Sequence, residues 1–410
     1  MVNEIARYVV SQHRMLRMLS ALIERTRGTP IPGVVALIGW LRSYLAVRPS
    51  DRQDGVVWIA RLSNERQAIK AFSTRVPELQ WTELRFQSRP AIAVLAALSR
   101  HLSPRRIFRL VRRMHRRYEF FKVLRVVEFI GFYTRYVEIF QAAQFSLAVM
   151  SSHSNPHGIA FNLAARKCGV PVILITHGMP ISPVARLSYD LAVIHCEVAR
   201  QTYLAEGCRM DRVLVHGRRQ DSAPMTDTLP ARLTVGIFLC KDVNEKTLQT
   251  LVQRLLDNAA VSQIIVRPHP KNLWLGLDAW IASTNDRRLV PSAAGGVSED
   301  LNQVDVVLAG NSSVLVDAVT GGRPSGFVPG LDHGPPDLHT FVARGLIYEV
   351  DELDFDPQAM LRFYLRSDWP DVLRLFANID EDEATVATRV GLAMRELARS
   401  RGNNDSKRGK

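Results

Sequence analysis

The sequence is poor in cysteine, and the four it has, Cys168, Cys196, Cys208 and Cys240, form no C-x-x-C pair. Each lies in or beside an apolar stretch, which argues against a disulfide framework or a zinc site and for buried thiols in a reducing cytosol. Long apolar runs are missing too. The uncharged run Gly28–Leu41 has 14 residues and is broken by Pro30 and Pro32. It falls short of the roughly 18 residues that span a bilayer. The run follows charged, helix-patterned sequence, so it does not read as a signal peptide. There is no G-x-x-x-x-G-K-[ST] loop, no G-x-G-x-x-G after the first strand and no G-x-S-x-G elbow. Kinase, dinucleotide oxidoreductase and serine hydrolase readings thereby lose their usual support.

Acidic residues are scarce in one region only. The formal charge of the 410 residues is +13, yet residues 1–150 hold 25 Lys and Arg against 10 Asp and Glu, and the remainder is close to neutral. That distribution places one basic surface on an otherwise ordinary, enzyme-like body and implies a negative partner for the N-terminal part. With 47% hydrophobic residues the chain has ample material for one core or two.

Residues 1–50 read as one or two helices broken at Gly28-Thr29-Pro30. From Gly55 strand-like and helical runs alternate, with strands near 56–59 and 84–86 and a helix around 64–72. Ser103-Pro104 then opens a basic amphipathic helix. Ile107, Leu110, Val111, Met114, Tyr118 and Phe121 form its apolar arc; Arg105, Arg106, Arg109, Arg112, Arg113, Arg116 and Arg117 fill the opposite one. Such a helix suits an anionic membrane surface, its apolar stripe in the acyl boundary or on the core, and equally a solvated surface. Nucleic acid ranks lower, because no reader motif accompanies the charge.

Further βαβ steps predict strands at 146–150, 172–176, 191–195 and 213–215, with a linker at 216–231. A second series predicts strands at 233–239, 263–266, 304–308 and 325–328 and helices at 245–258, 273–282 and 314–320. The expected architecture is α/β: two tandem doubly wound, Rossmann-like domains facing a cleft, behind an N-terminal helical region. The boundaries expected are an N-terminal domain over 1–225, a C-terminal domain over 226–400 and a disordered tail over 401–410.

In such sheets ligands sit at the carboxyl ends of strands, and four loops there carry polar clusters. The first holds His153, Ser154, Asn155 and His157, where Asn155-Pro156 forbids a helical metal pair. The second, Thr176-His177-Gly178, presents a histidine suited to general base work, though one His-Gly pair alone would favour a structural histidine. Arg267, His269 and Lys271, stiffened by Pro268 and Pro270, form a phosphate clamp in the third. The fourth runs Gly310-Asn311-Ser312-Ser313 into a helix N-terminus, an arrangement suited to an anion, with Asp317 one turn on.

The order HG, R-x-HP, SS-x-x-x-D and a G-x-P turn resembles the GT-B transferases, over roughly residues 145–330. The look-alikes are bacterial capsule polysaccharide glycosyltransferases of the sialic acid and Kdo type and CDP-glycerol glycerophosphotransferases. The resemblance implies a metal-independent glycosyltransferase, without cofactor, moving a sugar from a nucleotide-activated donor to a hydroxyl of a bacterial surface glycan or glycolipid. It implies catalytic roles for His177 and His269, with Arg267, Ser312, Ser313 and Asp317 on the donor, and the chemistry of the same loops adds Lys271, Gly310 and Asn311 to the donor side. The acidic motif of bacterial polysialyltransferases has no counterpart, which argues against a sialic acid donor. Alternatives are a CDP-glycerol or CDP-ribitol type phosphotransferase, a nucleotide-sugar 2-epimerase, because Gly310–Ser313 resembles their GNSS stretch, and a non-enzymatic basic membrane- or nucleic-acid-binding protein. The setting expected is cytoplasmic, peripheral on the inner face of the membrane.

Overall fold

The structure is a computed structural model that describes residues 23–26, 29–48, 54–85, 104–180, 183–216, 223–270, 274, 276–293, 295–350, 354–377 and 381–408. The chain divides into two units. One comprises Met1–Ile194, Arg200–His216 and Glu383–Lys410, the other His195–Ala199 and Gly217–Asp382.

The strands of the first unit are β1 (Asp54–Ile59), β2 (Trp81–Glu83), β3 (Gln144–Met150), β4 (Val172–Ile175), β5 (Ser188–Tyr189), β6 (Leu191–Ile194), β7 (Arg209–Met210) and β8 (Val213–Val215). Six form a parallel sheet in the order β2-β1-β3-β4-β6-β8, and β5 pairs with β7 apart from it. Strands buried on both faces need apolar residues at every position, which is why 146–150 and 172–176 read as continuous hydrophobic runs. The pleat divides them. Val57, Ile59, Ala148, Met150, Val172 and Leu174 join the core under the helices Ile31–Ala46, Phe120–Ala142 and Pro156–Lys167. Val56, Trp58, Leu147, Val149, Ile173 and Ile175 face the other way, against the helix Ser63–Ser73 and the C-terminal helix Glu383–Arg408.

That last contact corrects the expected boundaries. Residues 383–400 belong to the first unit and not to a domain over 226–400, because Val386, Val390, Ala393 and Met394 are buried on the first sheet. Helical backbone also runs on to Arg408, and Arg401 donates from Nη1 to the Phe145 carbonyl, where a disordered tail was expected. The strand expected at 84–86 lies at Trp81–Glu83 instead; Phe86 is outside the described residues. Of the expected linker, 217–222 also lies outside them.

The second unit carries β9 (Leu233–Phe238), β10 (Val261–Arg267), β11 (Leu289–Pro291), β12 (Val306–Ala309), β13 (Ser325–Phe327) and β14 (Tyr348–Glu349). They form a parallel sheet in the order β11-β10-β9-β12-β13-β14, the Rossmann order 3-2-1-4-5-6. In both sheets the winding reverses beside the first strand, between β1 and β3 and between β9 and β12. The carboxyl ends there are where a doubly wound sheet leaves a crevice.

The basic helix is shorter than its periodicity suggests. It spans Pro104–His115, and a new helix begins at Phe120. Val111 and Met114 are buried in the first core, with Leu110 and Tyr118 packed on it. Its apolar stripe is therefore used internally, while Arg109, Arg112, Arg113, Arg116 and Arg117 are exposed. The side chains of Arg105 and Arg106 lie outside the described residues.

Candidate active site

In the first unit, the loops after β1, β3 and β4 bring together groups that sequence reading found singly. Ser151 Oγ lies 2.8 Å from His177 Nδ1, so that nitrogen is engaged. His177 is exposed at its edge, yet the protein packed around its imidazole lowers its pKa from the ordinary 6.5, against the opposing charge of Glu65. The lowered pKa favours the neutral ring, the form a base requires. Glu65 is buried at 2% exposure, and its Oε2 accepts the amide hydrogens of Arg61 at 2.6 Å and Leu62 at 3.1 Å. Two backbone amides hold this carboxyl group in place, and its influence on His177 opposes that of burial. Sequence reading missed it, although it stands at a helix start directly after β1.

His153 and His157 point inward. His153 Nδ1 lies 3.0 Å from the Tyr203 hydroxyl, and burial, with His177 adding to it, drives its pKa down to about 4. His157 donates from Nδ1 to Asn155 Oδ1 at 2.8 Å, and burial followed by the charges of Arg61 and Arg125 takes it to about 3. Asn155 also accepts from the Gly158 amide at 2.9 Å as the helix cap, and its Nδ2 donates to Ser152 Oγ. Gly158 is required: a Cβ there would stand 2.1 Å from the Ser152 carbonyl oxygen. The polar loop after β3 thus has a buried, neutral, cross-braced interior, with Ser154 exposed at its tip.

In the second unit, Arg267 ends β10 and turns its guanidinium onto the protein. Nη1 donates to Ser292 Oγ at 3.3 Å, to the Gly296 carbonyl at 3.0 Å and to the carboxylate of Asp300, whose side chain is 1% exposed. Ser292 Oγ donates to the same Asp300 oxygen at 2.6 Å. This network stiffens the loop that carries half-buried His269. Lys271 lies outside the described residues.

After β12, the space beside Gly310 is filled by Asp332, whose Oδ2 would sit 2.1 Å from an added Cβ. Asp332 accepts from the Asn311 amide at 2.7 Å, from Asn311 Nδ2 at 3.0 Å and from the Gly334 amide at 2.8 Å. Asn311 further donates to the Pro335 carbonyl at 2.8 Å and accepts from the Leu338 amide at 2.7 Å. Gly310 and Asn311 thus fasten the 332–338 loop over the reversal point, and the room left by the glycine holds a carboxylate. Across it, burial and then the neighbouring Asp332 push the Cys240 thiol up to about 12. Ser312 and exposed Ser313 follow, leading into the helix Val314–Thr320, with Asp317 half-buried one turn along. Among the described residues no three His, Cys, Asp or Glu side chains are grouped to hold a metal ion.

No protein-family model matches the chain, and no curated sequence matches it. Solved structures do. The calicheamicin glycosyltransferase CalG4 superimposes with a TM-score of 0.50 at 11% identity, over 85% of this chain and 98% of that one. The fold of this chain is thus that of a GT-B glycosyltransferase, as the motif order implied. The UDP-GlcNAc 2-epimerase of Neisseria meningitidis bound to UDP-GlcNAc matches with a TM-score of 0.49, at 10% identity over 84% and 99% of the two chains. The wall teichoic acid polymerase TagF follows with a TM-score of 0.45, at 11% identity over 95% and 99%.

Proposed function

We propose that the protein transfers a sugar from a nucleotide-activated donor to a hydroxyl of a bacterial surface glycan or glycolipid, in the cytoplasm. The observation that carries this reading is the set of fixed polar loops at the carboxyl ends of the strands, with a neutral, braced His177 in the first unit. The Ser151 contact orients that imidazole, and its lowered pKa keeps a lone pair for the acceptor proton. In the second unit His269, held by the Arg267–Asp300 network, and the hydroxyls of Ser312 and Ser313 face the departing phosphate. Arg267 serves as the anchor of this loop. The Asn311 amide is already bonded to Asp332, so the hydroxyls and His269 carry the phosphate contacts. Those groups would take the leaving-group charge with no metal ion in the step.

A thermal-shift panel of CMP, CDP, UDP, GDP and dTDP tests the donor side. A nucleotide present at 100 times its dissociation constant adds about 2.7 kcal/mol of apparent stability. One nucleotide should raise the melting temperature, and His269→Ala should remove both that shift and sugar transfer while the apo protein melts as before. No shift with any of the five would overturn the reading. Release of the 2-epimer of the donor sugar, without an acceptor, would replace it with the epimerase.

A further inference from the structure

The helix Ile31–Ala46 is apolar on both sides. Pro32, Gly33, Ala36, Trp40, Leu41 and Tyr44 are buried on one of them. On the other, Ile31, Val34 and Ile38 are 46%, 46% and 56% exposed. At about 100° per residue these three and exposed Arg42 share an arc of roughly 80°. A surface helix of a globular protein normally turns its charged face to water. Here Ile31–Leu41 contains no charged residue at all.

The helix Pro104–His115 packs against this one and brings its exposed arginines with it. Arg25, Arg42 and Arg48 are exposed around the ends of the apolar helix as well. An apolar strip bordered by cations matches the boundary between acyl chains and anionic headgroups. We propose that this face docks flat on an anionic lipid surface, with Ile31, Val34 and Ile38 entering the acyl boundary and the arginines at the phosphates. With 16 residues the helix is about 24 Å long, short of the roughly 30 Å of hydrocarbon in a bilayer. No described helix is long and apolar enough to cross a membrane. The charge selects this occupant over a second copy of the chain, because a two-fold seam would set one arginine border against its own image.

The test is flotation of the full chain with phosphatidylcholine vesicles, with and without phosphatidylglycerol. The parent should float with the anionic vesicles and be released as salt rises. The triple variant Ile31→Ser, Val34→Ser, Ile38→Ser should partition at least tenfold less while melting as the parent does. The quadruple variant Arg112→Gln, Arg113→Gln, Arg116→Gln, Arg117→Gln should lose the preference for phosphatidylglycerol. Equal flotation of the triple variant and the parent, or no flotation of the parent, overturns the proposal. So does sedimentation showing a parent dimer that the triple variant converts to monomer. The readout needs no donor, so a chain that floats but binds no nucleotide sinks the transferase reading and leaves this one standing.

Discussion

At the residue scale the histidines divide by their environment. His177 is braced on one nitrogen and kept neutral by the protein around it, with Glu65 pulling the other way. Its neutral form is present above its pKa, so the acid limb of the transfer rate should lie below 6.5. Glu65→Gln removes the charge that favours imidazolium, and the limb should move to lower pH; a limb that stays put or rises would separate Glu65 from His177. His153 and His157 are neutral because they are buried, with pKa values near 4 and 3. Between those values and 6.5 the unfolded chain binds protons that the folded one refuses, so stability falls as pH falls. The loss from pH 7 to pH 5 is about 2 kcal/mol for each histidine. Urea midpoints at the two pH values should show it, and His157→Asn should reduce the difference by about half.

At the scale of elements, the donor-side loops are organised by carboxylates that the motifs do not contain. Asp300 is buried under Arg267, and removing one partner of a buried pair typically costs about 3 kcal/mol or more. Asp300→Ala should lower the urea midpoint accordingly and weaken nucleotide binding by freeing the His269 loop. Unchanged stability would show that Ser292 and the Gly296 carbonyl suffice to hold the guanidinium. Continuous apolar runs announced β3, β4 and β12, and a proline at the first helical position announced the helix at Pro104. What could not be read was each partnership across the chain. Asp332 lies 21 positions from Asn311, and Asp300 lies 33 from Arg267. No local periodicity encodes such distances. For the same reason the burial of His153 and His157 was not legible in their polar loop, because Tyr203 and the core that close around them lie elsewhere in the sequence.

At the scale of the molecule, two parallel sheets reverse their winding beside the first strand, and both gather polar loops at that point. The repeated βαβ pattern made this division legible. The return of the chain to its first unit was not legible, because a C-terminal amphipathic stretch carries no mark of which sheet it covers. Val386, Val390, Ala393 and Met394 close one face of the first sheet, and Arg395 pairs with Glu78 at 2.5 Å. A chain ending at Asp382 should lose the first unit's melting transition and expose β1, β3 and β4 to protease, whereas Gly217–Asp382 should keep its own. A first unit that melts normally without residues 383–410 would make the helix an accessory.

The same helix has a consequence for the order of events at the ribosome. Arg395 meets Glu78 across 317 positions of sequence, and Arg401 reaches Phe145 across 256. The sheet synthesised first therefore keeps one face open until residues 383–401 have emerged. The second sheet holds all its own strands by Glu349 and is free to fold in the interval. Synthesis runs from N to C, and completion of the two cores runs the other way.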